Sequence, residues 1–427
     1  MSRHVPGALA RSGPFRCPWL PEGGRAAGYN QSMNQAAAST QFQVAVVGAG
    51  LAGLASALGA AQAGLRVALI GGAAPELQAD GPWDQRIYAI SPASQRLLRA
   101  LKVWDRLDPA RVAPVRDMRI WPRADAARAL HFSAYEVASE ALAWIIEERE
   151  LARVLRLALD FQHGVTRCEW DATAVEFGPA AVVVRAATGH ALSAALLIGA
   201  DGKHSMVRAA AGLTAALRSY GQHGVVANFR AARRHAGAAC QWFTDAGVVA
   251  LLPLPGQDCS LVWSAPDALA AELVALPGAE LARRVAAVTA EHSGSLEPLG
   301  SARAFPLGVM TVPRIVAARL ALVGDAAHLV HPLAGQGLNL GFQDVETLLE
   351  VLRQREPWRD PGDLVLLRRY ERQRAVPVLA MRSVTDGLNW LFGQHQPLLR
   401  RAREDGLNLL QALPVIKKML VRHAMGR

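Results

Sequence analysis

The chain has 427 residues, of which 51% are hydrophobic and 19% charged, and a formal net charge of +10. That length suits roughly two or three globular domains, and the four scattered cysteines (Cys17, Cys168, Cys240, Cys259) exclude a disulfide scaffold and give no zinc-type spacing, so a reducing compartment is expected. Residues 1–40 carry +3 and residues 400–427 carry +5, which leaves a nearly neutral body and argues against a nucleic-acid partner; a solvated end or anionic lipid accounts better for such tails.

Residues 1–40 lack hydrophobic periodicity and the apolar core of a secretory signal. They read as a disordered or mis-assigned N-terminal extension: either an arginine-rich, transit-like segment or a start placed ahead of Met33. Gln43 to Leu65 contains no charged residue and is long enough to span a bilayer. Its five glycines and many alanines argue instead for a buried strand at Val44–Val47, a turn, a small-residue helix over Leu51–Ala63 and a second strand over Arg66–Ile70. Gly48, Gly50 and Gly53 then form G-x-G-x-x-G in its strand–helix context. The first glycine makes the turn, the second admits a pyrophosphate, and the third lets helix and strand pack closely. The acid that usually ends the second strand, where it holds a ribose, is missing; Gly71-Gly72 stands there.

DQRIYAIS (Asp84–Ser91) follows, with Ser91 as an N-cap before Pro92. Arg86 is placed either for a surface ion pair or to reach an anionic cofactor. Residues 112–190 mix alternating runs, such as Ala180–Ala186, with a helical pattern through Leu142, Ile145, Ile146, Leu151, Val154, Leu155 and Leu159, on whose polar side Arg149 is expected to be solvated. An apolar run at Ala195–Ala200 leads into DGKHSMVR, containing Asp201, Gly202, His204, Ser205 and Arg208. His204 and Ser205 have no third partner that would make a hydrolytic triad.

Residues 219–310 alternate as strands around the turn residues Pro255-Gly256-Gln257-Asp258. Trp242, Phe243, Leu252, Leu254 and Trp263 are candidates either for an aromatic substrate pocket or for ordinary core. Leu320–Val323 is a further apolar run ending at Gly324-Asp325. A proline-broken loop then leads to Gly335-Gln336-Gly337, which opens a helix. Glycines at a helix mouth let backbone N–H groups approach a ligand, and the helix dipole favours negative charge there. Beyond residue 350 the chain reads as helical. Its last thirty or so residues mix apolar positions with the basic cluster, which suits either a packed helix pair or an interfacial amphipathic helix.

The order GAGLAG, DGKHSMVR, GDAAH and HPLAGQGLNLGFQD resembles the FAD-dependent aromatic hydroxylases of the p-hydroxybenzoate hydroxylase type. The last string resembles the ubiquinone-biosynthesis subfamily specifically, as do DQRIYAIS, QWFTDAGVVALLPLP, CSLVWS and the terminal KKML with Ala-Met-Gly. The resemblance runs from about Phe42 to the end, and the late motif is far more specific than the dinucleotide one. It implies an α/β fold in which a Rossmann-type FAD-binding domain carries an inserted, mostly β substrate domain and C-terminal helices. The corresponding boundaries are 41–218 and 311–360 for the FAD-binding domain, 219–310 for the insert and 361–427 for the helical region.

The resemblance also implies roles. Gly48, Gly50 and Gly53 would hold the FAD pyrophosphate, Asp201 and Gly202 would lie near FAD and the nicotinamide donor, and Asp325 would bind the ribityl chain. Pro332, Gly335, Gly337, Leu338 and Asn339 would line the flavin ring, with Arg86 near it. No metal and no general base are implied. NADPH or NADH would reduce FAD, and oxygen would add to the reduced ring as a C4a-hydroperoxide that a phenolic ring attacks. The implied substrate is a prenylated phenol. The implied setting is cytoplasmic, with peripheral contact to the inner membrane through the C-terminal region and a multiprotein ubiquinone-synthesis complex as partners. A monooxygenase of a soluble phenol and a non-catalytic flavoprotein scaffold are the competing readings.

Overall fold

The chain's apolar strands segregate into a mainly parallel sheet covered by helices, a large, mostly antiparallel sheet and a small three-stranded sheet. The computed structural model describes residues 41–72, 81–122, 129–330 and 336–393. Residues 1–40 and 394–427, with Pro332 and Gly335, lie outside the described residues.

Five strands of the first sheet run parallel, in the order Leu320–Leu322, Ala191–Gly199, Phe42–Val47, Val67–Ile70 and Val165–Cys168. Val316–Ala317 and the hairpin Ala172–Phe177 with Val182–Ala186 add antiparallel edges. The central strands are apolar and buried throughout, as expected of strands covered on both faces. The first strand in sequence lies at the centre of this order, so the chain reverses its winding beside it, which is where open α/β sheets place ligands.

The helix Leu51–Gln62 is buried on nearly all sides, and its small residues make that packing close. A Cβ at Gly59 would come within 2.2 Å of Leu349 Cδ1 in the helix Gln336–Arg353, so a larger residue there would force the Leu349 side chain to move. The helix Glu148–Asp160 is amphipathic, burying Leu151, Val154, Leu155 and Leu159, and carries Glu148 and Glu150 in its first turn, where the helix dipole favours them.

The helical pattern expected from Leu142 onward is corrected here. Ile145 and Ile146 belong to the strand Ala143–Glu147, and the helix begins at Glu148. A short apolar run fits either element, and pairing with Ile87–Ile90 and Val112–Val115 decides it. Arg149 is not a solvated arginine either: it donates to Pro82 O at 2.6 Å and to the buried carboxylate of Glu147 at 3.2 Å.

The large sheet contains the strands at 216–231, 238–244, 247–253, 258–266, 296–298 and 303–311. It also recruits Asp117–Trp121 and Leu130–Ser133 from earlier in the chain and His328–Leu329 from later. Two helices, Asp267–Ala275 and Gly278–Val288, interrupt the strand run. The long helix Leu364–Gly393 packs on Gln336–Arg353. No described helix is long and apolar enough to cross a membrane.

Candidate functional site

Three glycine-containing turns leave the carboxyl edge of adjacent parallel strands. Val47 is paired with Gly199, and Gly199 with Leu322. The ladder continues one step into the turns: Ala200 N–H donates to Val47 O at 2.8 Å, and Val323 N–H donates to Gly199 O at 3.0 Å. Segments more than a hundred residues apart therefore converge on one edge, Gly48–Gly53, Asp201–Gly202 and Gly324–Asp325.

The glycines there divide by what faces them. Gly48 has φ +110°, and a Cβ would lie 2.3 Å from Ala200 O, so it packs turn against turn. A Cβ at Gly53 would lie 1.9 Å from Gly48 O, which locks helix onto turn. By contrast, nothing lies within 4 Å of a Cβ on Gly50, Gly202 or Gly337. Gly50 is the N-cap of Leu51–Gln62, and Gly337 is in the first turn of Gln336–Arg353. Among the described residues, nothing therefore faces Gly50 at the N-terminus of its helix or Gly337 in the first turn of the later one, and a helix N-terminus favours an anion.

Asp201 caps the short helix Met206–Ala210 by accepting from Val207 N–H at 3.1 Å with one oxygen. Its other oxygen is buried with no partner among the described residues, which suits a donor supplied by a ligand. Ser205 and Arg208 turn out to be structural: Ser205 Oγ accepts from Arg208 N–H, and the buried Arg208 guanidinium donates to Ala326 O at 2.9 Å and Lys203 O at 2.8 Å. Arg208 thereby ties the second turn to the third. His204 is exposed.

Asp325 lies in a single 3-10 turn, accessible to solvent. Burial nevertheless raises its carboxyl pKa, against the opposing charges of His328, Arg86 and Lys203. Arg86 is half-exposed, pairs with Glu148 at 3.3 Å and lies over the Phe305 ring at 5.0 Å. Tyr88 shares its electrostatic surroundings with Arg86 and Asp325, and burial raises its hydroxyl pKa. The stretch Trp83–Tyr88 also binds the large sheet, through Trp83 Nε1 to Asp258 at 2.8 Å and Asn228 Nδ2 to Asp84 O at 3.0 Å.

Behind Asp325 lies a buried network that the sequence did not signal as such. Asp344 is fully buried. It accepts from Gly324 N–H at 3.0 Å, pairs with His328 at 2.8 Å and with Arg374 at 2.7 Å. Burial alone would raise its pKa; His328 and Arg374 overcome that and hold it below the usual value. Tyr370 from the same long helix donates to Leu322 O at 2.7 Å. A Cβ at Gly341 would lie 3.1 Å from Gly324 Cα, so the helix and the turn are in close contact.

Leu338 is half-buried at this helix mouth. Asn339 is buried, and its side chain is spent on protein: Oδ1 accepts from Ser91 N–H at 2.9 Å and Ser94 Oγ at 2.8 Å, and Nδ2 donates to Ala89 O at 2.7 Å. It fixes the late helix against the DQRIYAIS segment. Trp242, Trp263, Phe243 and Leu254 are core rather than pocket lining. Leu252 is the half-buried exception, packed, like Trp83 and Ile87, against a small core of Ala113, Val115, Ile145, Ala239 and Leu254.

A dinucleotide with a polar ribityl linker and a planar ring fits these residues: the open helix N-terminus at Gly50, an Asp201 oxygen with no partner among the described residues, and the accessible Asp325 carboxylate on a neighbouring turn. Residues 41–383 match the model of the FAD binding domain family. Ubiquinone hydroxylase UbiL of Rhodospirillum rubrum is 34% identical over 389 residues, covering 90% of this chain and 89% of that protein. The 3-demethoxyubiquinol 3-hydroxylase of Escherichia coli is 34% identical over 387 residues, covering 90% and 98%. In fold, p-nitrophenol 4-monooxygenase PnpA of Pseudomonas putida superposes with a TM-score of 0.73 at 18% identity, over 91% of this chain and 98% of that one.

Proposed function

Because the chain belongs to the FAD-dependent hydroxylases of ubiquinone biosynthesis, we propose that it hydroxylates the aromatic ring of a polyprenyl phenol, using NAD(P)H and O2. The observation that carries this reading is the convergence of the three turns on one sheet edge beside Gly50 and Gly337, each with nothing among the described residues within 4 Å of a Cβ position. Bound FAD would supply the redox chemistry, accepting electrons from NAD(P)H and delivering one oxygen atom to the substrate ring.

The chain's own residues bind and orient. The N–H groups at Gly50 would receive the pyrophosphate, and the Asp325 carboxylate would accept from ribityl hydroxyls. Pro332, Gly335, Gly337 and Leu338 would border the flavin ring, with the dipole of Gln336–Arg353 favouring negative charge at its polar edge. Arg86, held between Glu148 and Phe305, would approach the same ligand. Asp344, His328 and Arg374 hold the Asp325 turn in place and keep water out of the wall behind it. We read the basic C-terminal region, outside the described residues, as a peripheral contact with the inner membrane, through which a long prenyl tail is drawn from lipid. Membership in a ubiquinone-synthesis complex belongs to the same proposal.

Deleting the gene and profiling quinones and prenyl-phenol precursors by mass spectrometry tests this. Loss of ubiquinone with accumulation of one under-hydroxylated precursor is expected, and that precursor identifies the ring position. An unchanged profile in a strain without a duplicate enzyme would overturn the reading in favour of a soluble phenol.

A further inference from the structure

The strand Val67–Ile70 lacks the terminal acid that ordinarily holds the adenosine ribose, and position 71 has no room for one. A Cβ at Gly71 would lie 2.8 Å from the Ala49 Cβ and 3.1 Å from its backbone nitrogen. Ala49 is the middle residue of the first glycine turn, so a side chain at 71 would push on the turn itself. Gly72 is confined as well: its N–H donates to Asp171 Oδ1 at 3.0 Å, and a Cβ there would meet the same oxygen at 3.1 Å.

The next strand outward brings up a different acid. Val67–Ile70 pairs in parallel with Val165–Cys168, with Ile70 opposite Cys168, and Gly71 N–H donates to Cys168 O at 3.1 Å. The register carries Glu169 abreast of Gly71. Glu169 lines one recess with Ala49, Gly71, Arg156 and Arg167. Its side chain is 66% exposed, and its ion pair with Arg167 is long, at 3.8 Å, while Arg167 also pairs with Asp160. Asp171 is already engaged by Gly72. Arg156 makes no hydrogen bond or ion pair among the described residues, and burial and the charge of Arg167 lower its pKa. Arg156 and Arg167 thus place two guanidinium groups in the same recess as the Glu169 carboxylate.

We propose that Glu169 holds the adenosine ribose of FAD, its carboxylate accepting from the ribose hydroxyls in place of an acid at position 71. An acid at the end of the second strand ordinarily does this, and here it has moved one strand outward in the same sheet. The proposal rests on the FAD reading above.

The test strips flavin from the full-length chain and follows rebinding by quenching of flavin fluorescence. It uses FAD and an FAD analogue whose adenosine ribose lacks both the 2′- and 3′-hydroxyls. Glu169→Ala is expected to weaken FAD binding roughly tenfold, the scale of one charge-assisted hydrogen bond. The analogue is expected to bind the unaltered chain about tenfold more weakly than FAD does, and to bind Glu169→Ala no worse than FAD does. The exposed position predicts an unchanged melting temperature for the flavin-free variant, and Glu169→Gln should retain part of the affinity. If Glu169→Ala still discriminates between FAD and the analogue as the unaltered chain does, the proposal is overturned while the FAD reading stands. Loss of affinity on Arg156→Ala with none on Glu169→Ala also overturns it, by assigning the recess to an anionic group. An unaltered chain that binds no FAD overturns both readings.

Discussion

The two ends of the sheet edge are built in opposite ways. At the late end, around Gly324 and the helix Gln336–Arg353, buried polar groups are engaged with one another: Asp344 with Gly324, His328 and Arg374, and Asn339 with Ser91, Ser94 and Ala89. At the early end, Gly50 faces open space, Glu169 is mostly exposed, and Arg156 is unpaired among the described residues. The late end resists distortion, while the early end offers contacts and little scaffolding. That difference suits the proposed ligand. A reacting ring needs its geometry held within a fraction of an ångström, whereas an adenosine needs only affinity.

The largest effect that could break this contrast is expected at Asp344. Asp344→Ala leaves Arg374 and His328 buried without their partner, which costs about 3–5 kcal/mol, measured by urea unfolding of the flavin-free chain. A loss below about 1 kcal/mol would mean that the late end is not held by this network. The same group gives a pH dependence. Its folded pKa lies below its unfolded value near 3.8, so its contribution is present above that pH and is lost as pH falls through the folded value. Acid unfolding is therefore expected to begin later, at lower pH, in the unaltered chain than in Asp344→Asn, and coincident acid transitions would contradict the assignment.

A pair of glycine variants sharpens the contrast at the early end. Gly53→Ala puts a methyl group 1.9 Å from Gly48 O and is expected to cost about 1–3 kcal/mol of stability as well as flavin binding. Gly50→Ala meets nothing, so its stability should stay within about 0.5 kcal/mol while flavin affinity falls. Equal stability losses would show that Gly50 is structural too. The smallest effect is expected at Asp325. Its surroundings raise its pKa, so the ionised carboxylate disfavours folding above that pKa. Asp325→Asn is expected to raise the melting temperature of the flavin-free chain slightly while weakening FAD binding. A lowered melting temperature would make Asp325 a structural residue.

Much of the early turn was legible because its roles belong to the backbone. Gly48, Gly50 and Gly53 act through φ and the lack of a Cβ, which residue identity alone dictates. The acid–glycine pairs at Asp201 and Gly324-Asp325 were legible as strand ends. Side-chain partnerships were not. Asp344 and Arg374 lie thirty positions apart on different helices, and nothing in either local pattern names the other. Trp242 and Trp263 had the composition of a pocket, and only their burial assigned them to the core.

The sequence by itself determined the helix and strand types of the strongly patterned segments and the family, because periodicity and glycine spacing are local properties. Tertiary structure alone decided that Ile145 and Ile146 are strand, that Asp117–Trp121 and Leu130–Ser133 join a sheet formed mainly a hundred residues later, and that Glu169 stands beside Gly71. In each case the deciding interaction is a hydrogen-bond register between segments distant in the chain. A strand's own residues leave its partner open, and burial against the rest of the fold selects it.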